Sequence, residues 1–290
     1  MIAFIVNPVA GNGKAIKMIP KIEKIMKEKA QDYKIFITKF AGEGTRLAKE
    51  ASNSGYDIVA AVGGDGTVHE VINGLKDTNA VLGIIPLGTG NDFARFFNIP
   101  KNIKKALEIL INGKVNIIDS AIINKYITCN NIANIGIDAD VALEVAKFKK
   151  FLRGIFAYLI GLFNVLIKYK PYDINIDIDG KKIKRKIMLA AFGNCSFYGG
   201  GFKILPDANP KDGFIDIIIV NKINKLKLLF LLPMAIIGKH TLLKCVETYK
   251  AKNIRVNMEK EVAICVDGEV LPSSHIELNV KKSAVKLCTN

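Results

Sequence analysis

Three short segments of this 290-residue chain gather glycine with small polar residues, each directly after an apolar run. The first, Asn7-Pro8-Val9-Ala10-Gly11-Asn12-Gly13-Lys14, follows Ile2–Val6 and opens a helical pattern. Glycines there let backbone N–H groups approach phosphate oxygens, and a helix N-terminus favours the negative charge. It is not a Walker A loop, which ends in Gly-Lys-Ser/Thr after a fixed spacing. Alone it also fits a simple strand-to-helix turn. The second, Gly63-Gly64-Asp65-Gly66-Thr67, surrounds one acid with more glycine than a tight turn needs. That excess points to close approach of a ligand, with Asp65 able to orient water or a metal beside phosphate. The third is Pro86-Leu87-Gly88-Thr89-Gly90-Asn91-Asp92-Phe93-Ala94. Loops at the carboxyl ends of successive parallel strands converge on one crevice, so the three together would face one ligand.

Other candidate groups lie further on. Asp267 and Glu269 stand two apart at the end of an apolar strand, so both side chains can lie on one face. Read from local pattern alone, they equally fit an Asp-Gly hairpin turn followed by a solvated Glu. Pro206-Asp207-Ala208-Asn209-Pro210-Lys211-Asp212-Gly213-Phe214 reads as an ordinary turn, and Gly199-Gly200-Gly201 as a close backbone approach or a bulge. His69 falls on a helix face, and Arg95 could pair with phosphate or with Asp92. The three histidines have no metal-ligand spacing. Cys129, Cys195, Cys245, Cys265 and Cys288 contain no Cys-x-x-Cys pair, as expected of reduced thiols in a cytosolic protein.

The elements that must position these groups change character along the chain. Over the first ~120 residues, apolar runs at Ile2–Val6, Ile35–Phe40, Ile58–Val62 and Val81–Leu87 alternate with helical patterns at 14–30, 43–54, 68–75 and 103–112. This argues for an α/β sheet of mostly parallel strands. Near Asp119–Asn131 the pattern shifts to an antiparallel β domain. Strands are expected at Tyr172–Ile178, Ile183–Phe192, Phe214–Val220, Val246–Met258, Val262–Val266 and His275–Leu287, with Asp179-Gly180 as a hairpin turn. Two apolar helical segments, 141–168 and 225–240, are flanked by Lys147, Lys149, Lys150, Arg153, Lys168, Lys170, Lys225, Lys227 and Lys239. They suit either core helices or a basic-rimmed face resting on a membrane.

The net charge of +15 points to an anionic partner, or to a surface solvated by lysine. With no Trp and no basic residues interleaved with aromatics, nucleic acid is not expected as a partner. The N-terminus lacks a signal-peptide pattern. The longest uncharged run, Gly154–Ile167, falls short of the roughly 20 apolar residues that cross a bilayer. A soluble or peripheral protein is therefore expected.

The Gly63–Thr67 loop, the Val68-His69-Glu70-Val71-Ile72-Asn73-Gly74 that follows it, and Pro86–Ala94 downstream resemble the diacylglycerol kinase catalytic domain. The likeness is greatest to soluble bacterial lipid kinases related to sphingosine and ceramide kinases. The Gly63–Thr67 element is shared with NAD kinases and 6-phosphofructokinases. Asn7-Pro8, Gly88–Ala94 and Val266-Asp267-Gly268-Glu269 favour the lipid-kinase branch.

The resemblance implies an α/β nucleotide-binding domain over 1–124 and a β-sandwich domain over 125–290, with ATP in the cleft between and the last residues returning to the first domain. It implies nucleotide contacts from Asn7, Pro8, Ala10, Gly11, Asn12, Gly13, Thr38, Gly63, Gly64, Asp65, Gly66, Thr67, Glu70, Gly88 and Thr89. Gly42-Glu43-Gly44 stands where the family often has Gly-Asp-Ala. Mg²⁺ is expected on the Asp212 carboxylate and the carbonyls of Asn209 and Phe214, an oxygen set suited to a hard cation. Asp267 is the expected catalytic base, with Glu269 as partner or rival. The expected reaction is transfer of the ATP γ-phosphoryl group to a membrane-lipid hydroxyl, foremost that of diacylglycerol. Phosphatidylglycerol or a sphingoid base are alternative acceptors, and an NAD kinase or a non-catalytic nucleotide-binding regulator are alternative functions. A cytoplasmic enzyme on an anionic membrane surface follows from the same likeness, which also suggests a homodimer.

Overall fold

The computed structural model describes residues 1–148 and 155–290, with side chains described outside 146–160. The chain divides into two compact units, residues 1–119 with 282–290, and residues 120–281.

In the first unit, strands β1 (Ile2–Val6), β2 (Tyr33–Ile37), β3 (Ile58–Gly63) and β4 (Val81–Pro86) are joined by helices α1 (Ala10–Lys17), α2 (Ile19–Glu28), α3 (Glu43–Asn53) and α4 (Asp65–Gly74). After β4 come α5 (Asp92–Phe96), α6 (Ile103–Asn112) and β5 (Lys114–Ile123), which carries the chain into the second unit. The strands are parallel in the order β2-β1-β3-β4, so the order reverses between β1 and β3. All of β1 and nearly all of β3 and β4 are buried, which explains their continuous rather than alternating apolar pattern. Helix α6 starts where the Asn102 side chain accepts from the Lys104 and Lys105 amides, and it buries Ile103, Ala106, Leu107 and Leu110 at helical spacing. The pattern expected as one helix over 14–30 is two, α1 and α2, meeting at Met18 ahead of Pro20.

The second unit contains β6 (Ile127–Cys129), β7 (Ile132–Gly136), α7 (Ile137–Phe148), α8 (Ile155–Lys168), β8 (Tyr172–Ile178), β9 (Lys181–Gly193), β10 (Phe197–Tyr198), β11 (Phe202–Lys203), β12 (Ile215–Asn221), α9 (Lys225–Ile236), β13 (Val246–Ala251), β14 (Asn253–Val266) and β15 (Glu269–Thr289). Its strand pairs are antiparallel. The long strands β9 and β14 each pair with β8 at one end and with β7 at the other. They wrap a shared core of Ala133, Ile135, Ile174, Ile176, Phe192, Ile254, Val256 and Ile264. A register shift between Asn257 and Val262 lets β14 pass from one pairing to the other.

Two sequence expectations change here. Val246–Met258 is two strands, broken at Lys252, where the Asp179 carboxylate accepts from the Lys252 and Asn253 amides at 2.9 and 2.8 Å. Val262–Val266 is the end of β14, not a separate strand. The helix expected over 141–168 begins earlier, at Ile137, and resumes as α8; Lys149, Lys150 and Arg153 lie outside the described residues. The C-terminal stretch of β15 belongs to the first unit, where Leu287 pairs in parallel with Leu82 of β4.

Helices α3 and α4 pack closely because Gly74 has no side chain. A Cβ there would stand 2.4 Å from the Thr45 carbonyl oxygen and 2.7 Å from the Ala48 Cβ. Gly74→Ala is expected to destabilise the protein by about 1–3 kcal/mol through overpacking, measured by urea unfolding.

Candidate active site

Adjacent to the strand-order reversal, the loops after β1, β3 and β4 interlock through main chain. Leu87 N and Gly88 N both donate to the Gly63 carbonyl, at 2.8 and 3.1 Å. Gly64 and Gly88 touch: a Cβ on Gly88 would lie 2.3 Å from the Gly64 Cα. A Cβ on Gly11 would lie 2.1 Å from the Leu87 carbonyl oxygen, and Gly11, Asn12 and Gly13 all have positive φ. The first loop therefore turns left-handed before α1 settles into helix. Asn7 fixes its entry, accepting from Val9 N at 3.2 Å and donating to Thr67 Oγ1 at 3.3 Å.

Asp65 stands at the start of α4 and accepts from Phe93 N at 3.1 Å. Burial raises its pKa, against the amides of Phe93, Asn91 and Asp92 that lower it. Asn91 closes the third loop on itself, accepting from Gly88 N and donating to Gly88 O. It is buried with φ of 54°, in a left-handed conformation that Asn tolerates. Thr89 and Gly66 are exposed, while Pro8, Ala10, Gly13 and Asp65 are partly so.

Two expected nucleotide contacts have structural partners. The Glu70 carboxylate accepts from the amides of Gly42 and Gly44, each at 2.9 Å, and so fixes the loop before α3. Thr38 is buried and its hydroxyl donates to the Val6 carbonyl at 3.4 Å.

In the second unit, Asp267 and Gly268 form a two-residue turn between β14 and β15, both with positive φ, and Val266 pairs with Glu269. The expectation that Asp267 and Glu269 share one strand face is thus overturned in favour of the hairpin reading: Asp267 lies in the turn itself and Glu269 opens the returning strand. The Asp267 carboxylate accepts from Asn130 N at 2.8 Å, Asn131 N at 3.0 Å and Ile132 N at 3.1 Å. Glu269 is exposed.

The 206–214 loop holds its acid differently. Asp212 Oδ1 accepts from Phe214 N at 3.1 Å, and Oδ2 accepts from the Lys250 ammonium at 2.7 Å. The Asn209 carbonyl accepts from Asp212 N at 3.4 Å. Asp216, which local pattern did not single out, lies beside them, with Oδ1 at 3.4 Å from Lys250 and Oδ2 buried without a partner. Among the described residues no three His, Cys, Asp or Glu side chains form a metal cluster. The donors present are all oxygens, one of them an orphaned carboxylate oxygen. This fits a hard divalent cation that keeps several waters.

A further group went unread in the sequence. Asp138, in the first turn of α7, is buried with Oδ2 unpartnered, while Oδ1 accepts from Ala139 N. Burial pushes its carboxyl up to about 7, against a hydrogen bond from Tyr198. Asn134 and Asn194 are likewise buried with unpartnered side-chain atoms. The only signal in the sequence was an acid directly after the buried β7 run, where a helix N-terminus can hold it.

Parallel strands with glycine loops beside a strand-order reversal form the kind of crevice in which open α/β sheets bind ligands. Comparison with known proteins makes this specific. Residues 1–123 match the diacylglycerol kinase catalytic domain, and residues 131–289 match the YegS C-terminal NAD kinase beta sandwich-like domain. A diacylglycerol kinase of Bacillus subtilis (strain 168) is 33% identical over 281 residues, covering 94% of this chain and 92% of that protein. One from Staphylococcus aureus (strain MRSA252) is 33% identical over 280 residues, covering 94% and 88%. A crystal structure of a diacylglycerol kinase from Bacillus anthracis str. Sterne superposes with TM-score 0.78 at 25% identity, covering 100% of this chain and 96% of that one. A second solved chain from the same organism gives 0.82 at 29% identity, covering 100% and 95%. The chain belongs to the diacylglycerol kinase family and is a lipid kinase.

The buried Asp138 generates a pH dependence. With its pKa raised to about 7 in the fold, its stabilising contribution is complete below about pH 4 and is lost as pH rises through 7. Asp138→Asn removes this titration. Urea unfolding from pH 4 to 8 is expected to show a shallower loss of stability in the variant, by up to about 4 kcal/mol.

Proposed function

We propose that the protein transfers the γ-phosphoryl group of ATP, with Mg²⁺, to a membrane-lipid hydroxyl, and that diacylglycerol is the acceptor, giving phosphatidic acid. The observation that carries this reading is the main-chain contact of the Gly63–Thr67 and Gly88–Asn91 loops beside the left-handed Gly11–Gly13 turn, in a chain of this family. Such loops offer amides to a triphosphate without side chains in the way. Asn7, Asn91 and Asp65 hold the loops in register, and Glu70 and Thr38 brace the elements beside them.

Asp267 is the proposed acceptor of the lipid hydroxyl's proton. The amides of Asn130, Asn131 and Ile132 hold its carboxylate in one orientation. Glu269, exposed across the turn, is its rival. Bound Mg²⁺, held by Asp212 and the carbonyls of Asn209 and Phe214, would offset negative charge near the reacting phosphate or stiffen its loop.

The enzyme is further proposed to work from the surface of an anionic membrane. No described helix is long and apolar enough to cross one. Helix α9 buries Leu228, Leu231 and Ala235 but leaves Leu226, Phe230 and Ile236 exposed, and Phe163 and Ile167 of α8 are exposed as well. Lys225 ties the two helices together, donating to the Ile167 carbonyl at 2.7 Å. Apolar side chains beside lysines suit insertion at an anionic interface.

The deciding experiment incubates the protein with labelled ATP, Mg²⁺ and anionic vesicles containing diacylglycerol, phosphatidylglycerol or a sphingoid base. Label in phosphatidic acid is expected; label in another lipid reassigns the acceptor. ATP-dependent formation of NADP instead would mark an NAD kinase, and ATP binding without turnover a regulator. In the same assay, Asp267→Asn is expected to lower kcat by about 10²-fold or more while ATP binding persists. Full activity in that variant would move the proton acceptor to Glu269. Phe230→Asp is expected to weaken co-sedimentation with anionic vesicles while leaving ATP binding intact.

A further inference from the structure

Among groups outside the proposed phosphate loops, the Lys250–Asp212–Asp216 cluster has the most fully determined geometry. Strands β12 and β13 pair so that Asp216 and Lys250 are direct cross-strand partners. Their side chains therefore meet by register and not by chance of rotamer. Lys250 Nζ lies 2.7 Å from Asp212 Oδ2 and 3.4 Å from Asp216 Oδ1. The other oxygen of Asp212 is occupied by its own loop, through Phe214 N. The other oxygen of Asp216 is buried and unpartnered, on a side chain only 9% exposed. Next to the cluster lies a cavity of about 230 Å³ lined in part by Pro206, Asp207, Asp216, Thr248 and Lys250. That is room for a cation with several waters. Lys252, just past the end of β13, lies over the Phe214 ring at 5.3 Å from its centre, so its charge is directed to the ring.

Resting on the reading of the 206–214 loop as a metal loop, we propose that Lys250 is a resident counter-ion that competes with a divalent cation for Asp212 and Asp216, and that Asp216 Oδ2 is a further ligand of that cation. The Asp212 oxygen not tied to the loop backbone is the one the ammonium holds. A divalent cation reaching Asp212 at the roughly 2.0–2.1 Å of a magnesium–oxygen bond must take that oxygen from Lys250. Like charges at such separation repel, so lysine and metal exclude each other. The ammonium stands against two carboxylates that would otherwise be uncompensated. With metal bound, Asp216 Oδ2 loses its orphaned state.

The test measures metal binding without turnover. Mg²⁺ and Mn²⁺ are titrated into the full-length protein, reading the rise in Tm and, for Mn²⁺, direct binding by calorimetry. The wild type is compared with Lys250→Met, Lys250→Arg, and Lys250→Met combined with Asp216→Asn. Lys250→Met is expected to shift the metal midpoint to a concentration at least tenfold lower, and Lys250→Arg to keep the wild-type midpoint. Adding Asp216→Asn is expected to cancel the gain. A metal-responsive wild type whose midpoint is unchanged or weakened in Lys250→Met overturns the competition while leaving the metal loop standing. A Lys250→Met gain that survives Asp216→Asn removes Asp216 from the ligand set. If no variant responds to either metal, the loop is not a metal site and the metal part of the proposed function falls as well. Calorimetry keeps the test decisive should Lys250→Met lower the metal-free Tm.

Discussion

The first unit depends on two backbones coming closer than any side chain would allow. Gly64 and Gly88 meet Cα to Cα, and the Gly63 carbonyl takes both Leu87 N and Gly88 N. This main-chain junction ties the loop after β3 to the loop after β4. Asn7 and Thr67 then join the loop after β1 to the same assembly. Burial of the strands sets the loops at one end of the sheet, and glycine lets them close. Replacing Gly88 by a residue with a Cβ would force backbone apart, a cost no rotamer change could relieve.

The second unit organises its polar groups around carboxylates instead. Asp267 gathers three consecutive amides ahead of and within β7, and Asp179 takes two, those of Lys252 and Asn253, at the break between β13 and β14. Such clamps hold irregular backbone in place where strand pairing stops. Asp212 and Asp216 follow another pattern, sharing an ammonium across a strand pair. At Asp138 burial outweighs the hydrogen bonds from Tyr198 and Ala139 N, and so raises its pKa. The cysteines take no part in cross-linking: all five are free, and the thiols of Cys129 and Cys195 are raised in pKa by burial and by the nearby Asp267.

Local pattern revealed the elements that hydrophobic periodicity controls. The parallel strands, helix α6 and the Asp179-Gly180 hairpin fall close to where apolar runs and turn residues put them. It also disclosed the three glycine loops, because glycine in excess of a turn's need is visible in one dimension. It failed where an element is set by a distant partner. The break at Lys252 depends on Asp179, more than seventy residues away. Asp267 and Glu269 were open to two local readings, one strand face or an Asp-Gly turn, and only the pairing of Val266 with Glu269 chose the turn. Nor does any local window show that the Glu70 carboxylate accepts from the Gly42 and Gly44 amides at the start of α3.

By itself, the sequence determined the α/β and antiparallel β classes, the three glycine loops, and, through motif likeness, the lipid-kinase family. These follow from residue type and short spacing, which survive without knowledge of the fold. Only the tertiary structure decided which carboxylates are engaged and by what. It put Lys250 against Asp212 and Asp216, left Asp138 buried with an open oxygen, and set Leu287 beside Leu82. Each of these depends on strand register between segments far apart in the chain. Register is fixed by the packing of whole faces, which no local window contains.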